Sequence, residues 1–293
     1  MLKKILIPFL IIIFFSSCTY KEEKKLKISI SNWIGYTPLI YAKEKKWLDD
    51  LNIKILQVSS LTENLYLYEA GNSDAFVGTQ YEYNLAKKSQ NSLIPLILLN
   101  RSNGGDMIMS NLTIEELKNS SKLDVYLEID SVNSILLEDF LVTNNLKNLK
   151  INYINKDQQY ISTLKKKNLK EPTLIVTYSP YYKVLEENGI NIIASTADKL
   201  RLLIVDALFV SKEVYTENEK KFQKLKILID KAIENLQENP KEYFETVKTH
   251  NLNMTYDEFL STVEKIVWIN KKIEQVYIDK LNYQNFPVRD ILK

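Results

Sequence analysis

The chain has 293 residues and is 45% hydrophobic, enough for one large domain or two modest ones. Its 39 basic and 37 acidic side chains nearly cancel, so there is no basic excess to bind nucleic acid and no acidic excess to form a disordered tail. A single cysteine, Cys18, and a single histidine, His250, exclude an intramolecular disulfide and a His/Cys zinc site, and any nucleophilic triad would have to use His250.

Lys3 and Lys4 precede an apolar run from Ile5 to Phe15, followed by Ser16, Ser17 and Cys18. A basic start, a short apolar run and small residues make a secretory signal over 1–17. The run is shorter than the roughly 20 residues of a membrane-spanning helix. Its end, Phe15-Ser16-Ser17-Cys18, resembles the bacterial lipobox, although Phe15 stands where that signal prefers leucine. The resemblance implies lipidation (palmitate) of Cys18 and a membrane anchor. An ordinary signal peptide with an incidental cysteine, or an uncleaved anchor, is the alternative. Cleavage before Cys18 removes two lysines and leaves basic and acidic side chains equal in number. Residues 18–25, polar and aperiodic, read as a tether.

Beyond the tether, short β-like runs alternate with helical patterns. Strands are expected near 27–31, 53–58, 75–79, 94–99, 106–110, 124–128, 150–155, 173–177, 192–194 and 203–210. Helices are expected at 38–47, 61–70, 81–89, 132–144, 157–168 and 180–187. The alternation argues for an α/β protein with mainly parallel sheets. Thr37 with Pro38 marks a helix start, and Ser60…Glu63, Thr113…Glu116, Thr216…Glu219 and Thr255…Glu258 have capping-box spacing. From about Thr216 the pattern is helical only. One apolar stripe runs Phe222, Leu225, Leu228, Ile229, Ala232, Ile233, Leu236; Asn239-Pro240 breaks the helix; another stripe runs from Tyr256 to Val267.

Open α/β sheets bind ligands beyond the carboxyl ends of their strands, so the strand-to-helix turns carry the interest. The first is Ser31-Asn32-Trp33-Ile34-Gly35-Tyr36-Thr37-Pro38. Gly35 permits a close backbone approach, and Trp33 and Tyr36 either wall a pocket or cover the core. The others are Gly71–Asp74 leading into a strand that ends at Thr79-Gln80, the polar segment Asn100–Asp106, Glu128–Val132, and Thr177-Tyr178-Ser179-Pro180-Tyr181.

Taken in order from about Leu26 to Leu260, these motifs resemble the periplasmic substrate-binding proteins of ABC importers in the nitrate, sulfonate, taurine and thiamine-precursor group. The similarity lies in Asn32–Leu39, the helix from Tyr41 to Lys45, the turn Ala70–Ala75, the crossover Ser102–Asp106, the turn Thr177–Tyr181, the return segment Ile204–Val210 and Asn239-Pro240. The resemblance implies a two-lobed periplasmic-binding-protein-like fold of type II, with mixed sheets, two crossover strands and C-terminal helices. Lobe one is then 26–104 plus 207–293 and lobe two is 105–206. Trp33, Gly35, Tyr36, Thr79 and Gln80 should face the cleft from lobe one, and Asp130, Ser131 and Tyr178 from lobe two. Asp106 and Asp206 lie on the crossovers, where ligand contact and a hinge role are both open. The implied function is capture of a small molecule for an ABC permease by a periplasm-facing, lipid-anchored monomer with no cofactor, no metal and no catalysis.

The arginines Arg101, Arg201 and Arg289 offer few candidates for a bidentate anion clamp. A neutral or zwitterionic ligand, or an anion held by backbone N–H groups, fits as well. A sensor of the same fold, reporting occupancy to a membrane signalling partner, is the alternative function. An enzyme is disfavoured because no general acid/base pair is in evidence.

Overall fold

The computed structural model describes residues 24–197, 202–250, 254–288 and 291–292. The expected signal and Cys18, and also Arg201 and Arg289, lie outside the described residues. The elements in chain order are β1 (Leu26–Ile30), α1 (Thr37–Glu44), β2 (Ile53–Gln57), α2 (Leu61–Glu69), β3 (Ala75–Thr79), α3 (Gln80–Ala86), β4 (Leu93–Ser102), β5 (Asp106–Ser110), α4 (Ile114–Lys118), β6 (Lys122–Leu127), α5 (Val132–Thr143), β7 (Lys150–Asn155), α6 (Gln158–Ser162), β8 (Thr173–Tyr178), α7 (Tyr182–Glu187), β9 (Asn191–Ser195), β10 (Val205–Ser211), α8 (Lys212–Glu238), α9 (Pro240–Val247), α10 (Tyr256–Val263), β11 (Ile266–Trp268) and α11 (Gln275–Tyr283).

Among the described residues these strands form two sheets. One has six strands in the order β11-β4-β10-β3-β1-β2, the other five in the order β7-β6-β8-β5-β9. The first takes its strands from both ends of the described chain and the second from the middle, so the chain crosses between sheets twice: at 103–105 and between β9 and β10. Parallel pairing is confined to β1 with β2 and β3, and β6 with β7 and β8. β4, β5 and β10, which adjoin the crossovers, and the edge strands β9 and β11 pair antiparallel. The mainly parallel sheets expected from alternation are therefore corrected to mixed ones: a chain that leaves one sheet and returns enters from the opposite end.

The central strands β3, β5, β8 and β10 are buried along their whole length, as their apolar runs require. β7, at one edge, is mostly exposed and polar, which discourages pairing with another chain.

The capping boxes at Thr113…Glu116 and Thr255…Glu258 both form. At Ser60 only half of the box is present: the hydroxyl accepts from Glu63 N–H, while the Glu63 carboxylate turns to Ser59. Thr37 occupies the first turn of α1 without capping it, and its hydroxyl donates to the Ile34 carbonyl. Thr216 is overruled by Ser211, which caps α8 one turn earlier; α8 then departs from helical geometry at Asn218 and resumes. The apolar stripe of α8 packs on α1, with Phe222, Leu225 and Ile229 fully buried. The last predicted stripe divides. α10 stops at Val263, and Ile266–Trp268 becomes a short strand on the free edge of β4, where β-branched residues are accommodated and backbone groups find partners.

Candidate functional site

Strand register assembles the site. In the first sheet Asp206 of β10 lies opposite Thr79 of β3 on one side and Asn100 of β4 on the other. In the second sheet Asp106 of β5 lies opposite Tyr178 of β8. These two rows face each other across a small cavity lined by Trp33, Tyr36, Leu61, Thr79, Asp106, Tyr178, Ile204 and Asp206. Its volume is about 10 Å³, no more than one water requires.

Trp33 and Tyr36 come from the loop between β1 and α1 and are both buried. The Trp33 indole N–H donates to Asn100 Oδ1 at 3.3 Å, and Asn100 Nδ2 donates to the Gly35 carbonyl at 3.1 Å. A Cβ at Gly35 would lie 2.3 Å from Trp33 Nε1 and 2.5 Å from Asn100 Nδ2. The close approach that Gly35 permits is thus to these two side chains. Tyr36 donates its hydroxyl to Asp206 Oδ1 at 2.6 Å. Asp206 Oδ2, buried, has no hydrogen-bond partner among the described residues. From the second sheet, the Tyr178 ring meets Trp33 edge-on at 6.0 Å and Tyr181 at 5.5 Å.

Six of the ten residues singled out in the sequence line this cavity: Trp33, Tyr36, Thr79, Asp106, Tyr178 and Asp206. Gly35 lies beneath Trp33. Gln80 turns to the second crossover, donating to the Leu203 carbonyl and accepting from Val205 N–H at 2.9 Å. Ser131 caps α5, and its hydroxyl donates to the Glu128 carbonyl. Asp130 is on the exposed rim, where it accepts from the Tyr66 hydroxyl at 2.7 Å. Arg101 points away from the cavity and stacks on the Tyr277 ring at 4.7 Å.

Two acids that sequence reasoning passed over bridge the sheets reciprocally. Glu82, from α3 beside the first sheet, accepts Val132 N–H at the start of α5, 2.9 Å away. Glu128, at the end of β6 in the second sheet, accepts Leu61 N–H at the start of α2, 3.3 Å away. Each carboxylate thus meets the partially positive end of a helix from the facing side. Glu82 also completes a buried capping box with Thr79, and that Thr-x-x-Glu spacing is the signal that could have found it. Glu128 opens the strand-to-helix turn Glu128–Val132 marked in the sequence, but that turn offered Asp130 and Ser131 as its site residues.

Four carboxyl groups are therefore buried together. Burial pushes Asp106 up to about 7 against a hydrogen bond from Ser102, with repulsion from Glu82 adding to the rise. Burial pushes Glu128 up to about 8, opposed by the N–H groups of Leu61 and Gln158. Burial raises Asp206 well above the usual carboxylate range, the Tyr36 hydroxyl and the Trp33 indole opposing and Asp106 and Glu82 reinforcing. Glu82 is raised by burial too, against its hydrogen bonds from Thr79 and Val132. No Lys, Arg or His lines the cavity among the described residues.

The crossovers are tied to one another by hydroxyls. Ser102 Oγ and Thr196 Oγ1 lie 2.7 Å apart, Gly104 N–H donates to Thr196 Oγ1, and Asp106 N–H donates to Ser102 Oγ. Gly104 has a φ of +104°, which only glycine takes without strain. A Cβ on Gly105 would lie 2.4 Å from Trp33 Cη2, so the crossover backbone sets the depth of the indole.

A larger open groove of about 510 Å³ lies elsewhere, on α5, β6 and β7, lined by Leu127, Ile129, Leu137, Leu141, Ile151 and Tyr153 among others. It lacks the converging buried polar groups that orient a small ligand. Among the described residues no three His, Cys, Asp or Glu side chains are grouped to hold a metal ion, and no helix is long and apolar enough to cross a membrane.

No protein-family model matches the chain, and no curated protein does. Solved structures do. The ligand-binding component of an ABC-type import system from Staphylococcus aureus, with zinc bound, matches with a TM-score of 0.71 at 14% identity, covering 92% of this chain and 97% of that one. The periplasmic aliphatic sulphonate binding protein of Escherichia coli matches with a TM-score of 0.68 at 13% identity, over 89% of this chain and 86% of that one. A Candida albicans protein described as having the generic periplasmic binding protein structural fold matches with a TM-score of 0.62 at 10% identity, over 92% of this chain and 96% of that one. The fold of this chain is that of the two-lobed periplasmic binding proteins.

Proposed function

We propose that the protein is the solute-binding component of an ABC importer, capturing a small molecule in the cleft between its sheets and presenting it to a membrane permease without altering it. The observation that carries this reading is the cavity itself: aromatic and acidic side chains from both sheets converge on it, and two hydroxyl-tied crossovers join the sheets beside it. A cavity of about 10 Å³ admits no organic solute, so the lobes must part to let one in and then close around it less tightly than they do here, a hinge motion. The lobes in this reading are 26–104 plus 207–293 and 105–206, acting as a monomer. Cys18 carries the lipid that holds the protein on the periplasm-facing side of a membrane. Several ABC-import and sulfonate-binding proteins share the fold, which supports the transport role. Sulfonate, taurine, nitrate and thiamine-pyrimidine compounds form the starting ligand panel. No chemistry is assigned to the cleft: its acids face aromatic rings and hydroxyls, and His250 lies away from it beside Gln57 and Glu44.

The test is a thermal-shift screen of the purified protein against that panel extended with small amines. A ligand at 100 times its dissociation constant adds about 2.7 kcal/mol to stability, several degrees for a chain of this size. A hit that Trp33→Ala or Tyr178→Ala abolishes supports the reading. Hits that survive both substitutions place binding outside the cleft and refute it.

A further inference from the structure

We infer that the ligand taken in the cleft is a small organic cation, an ammonium or amidinium-type compound held between the carboxylates of Asp106 and Asp206 and walled by the rings of Trp33, Tyr36 and Tyr178. The inference rests on the solute-binding reading and names its ligand class.

Charge is the first ground. Asp106 is 4% exposed and Asp206 2%, and no basic side chain among the described residues lines the space between them. A buried anion is stable only when paired or richly hydrogen-bonded. Glu82 and Glu128 accept helix N–H groups across the cleft, and even so burial raises Glu128 to about 8. Asp106 and Asp206 accept no such helix N–H. Asp106 has only Ser102 to oppose its burial. Asp206 takes the Tyr36 hydroxyl on Oδ1, with the Trp33 indole also near the carboxylate, while Oδ2 makes no hydrogen bond of its own among the described residues.

Topology is the second ground. Asp206 belongs to the first sheet and Asp106 to the second. Closing the lobes brings the two carboxylates onto one cavity, and like charges oppose that motion. A cation between them reverses the sign, so that binding and closure favour each other. A sulfonate or nitrate would bring a negative charge into a space lined by no basic side chain among the described residues.

The walls argue for an organic cation over a bare metal ion. Three aromatic rings surround the carboxylates, and ring faces attract ammonium-type cations when water is excluded. A metal would need four or more ligand atoms, and no triad of His, Cys, Asp or Glu is grouped for it among the described residues.

The experiment is isothermal titration calorimetry of the purified protein with ethylamine, ethanolamine and acetamidinium as cations, taurine as a zwitterion, methanesulfonate and nitrate as anions, acetamide as a neutral control, and Zn²⁺ alone. Binding is expected from at least one organic cation and not from the anions. Asp206→Asn should weaken it roughly 30-fold or more, with urea melts showing that the variant folds; Asp106→Asn serves if it does not. Two titrations in buffers of different ionisation enthalpy should show proton release on binding near pH 6, because Asp106 and Asp206 must ionise to hold the cation. Tyr36 and Tyr178 are the other titratable groups lining this space, and Glu82, Glu128 and Tyr181 lie behind them within electrostatic reach. Binding of an anion, zwitterion or neutral compound but no cation overturns the charge assignment and leaves the solute-binding reading intact. Binding of Zn²⁺ alone overturns the organic cation. Failure of every compound overturns both.

Discussion

Replacing Asp106 by asparagine should make the protein more stable than the wild type in alkaline buffer and leave it nearly unchanged in acid. In the unfolded chain this carboxyl titrates near 3.8, and in the folded protein burial raises it to about 7. Between those values the folded state binds more protons than the unfolded state, so wild-type stability falls as pH rises through the window. At about 1.4 kcal/mol per pH unit, a shift of about three units is worth about 4 kcal/mol, present below pH 4 and lost by pH 7. Asparagine has a similar shape and never ionises, so the variant escapes that loss. The rises at Glu128 and Glu82 have the same sign and remain in both proteins, whereas the part of the Asp206 rise that comes from the Asp106 charge goes with it. The helix-capping acids Glu116 and Glu258 are lowered by their own hydrogen bonds and contribute the opposite slope near pH 4, again in both. The difference between the two curves therefore reports Asp106 together with its repulsion of Asp206. Urea unfolding followed by tryptophan fluorescence at pH values from 4 to 8 measures it. Curves that stay parallel, or a wild type that gains on the variant as pH rises, would refute the reasoning and require a positive partner for Asp106.

Gly105→Ala should push the Trp33 indole out of its place, since the new Cβ falls 2.4 Å from Cη2; a cost of about 1–3 kcal/mol in urea melts is expected, with a changed indole emission. Tyr66→Phe removes the hydroxyl that donates to Asp130 across the cleft rim and should shift the lobes toward the open form by about 0.5–1 kcal/mol, seen as a larger radius of gyration by small-angle scattering; an unchanged radius would assign that bond no part in closure. Thr255→Ala breaks the capping box of α10 and should cost about 1 kcal/mol without altering ligand affinity. Cys18→Ser should abolish lipid attachment, read as loss of the acyl mass and release from the membrane fraction; retention in the membrane would argue for an uncleaved anchor.

The alternation of short apolar runs with amphipathic helices made the α/β class readable, because period-two and period-3.6 patterns are local. The direction of the strands was not readable from alternation; only the family resemblance implied the mixed sheets that the structure has. Alternation suggests parallel sheets, yet β4, β5 and β10 pair antiparallel because the chain crosses between lobes there. The site was half legible for the same reason. Trp33, Tyr36 and Tyr178 stand in strand-to-helix turns, which the sequence exposes. That Asp206 meets Thr79 and Asp106 meets Tyr178 is a matter of long-range register. Gln80 and Ser131 stand beside cavity or bridge residues in sequence but serve the backbone instead. Glu82 carries a Thr-x-x-Glu signal like those at Thr113 and Thr255, whereas the acceptor role of Glu128 toward Leu61 depends on a contact between lobes that no local pattern encodes. At the C-terminus, Ile266 and Val267 continue a helical stripe on paper, but the open edge of β4 claims them.

Capture by closure of two lobes can be read out by pulsed electron-spin distance measurement. Spin labels at exposed Lys54 in β2 and Lys150 in β7 would report the separation of the lobes. With no ligand, the distribution should contain a longer, open distance. Adding the panel compound that gives the largest thermal shift should collapse it to one shorter distance, and Asp206→Asn should weaken that response. A distance that no compound in the panel changes, despite measurable binding, would contradict closure around the ligand.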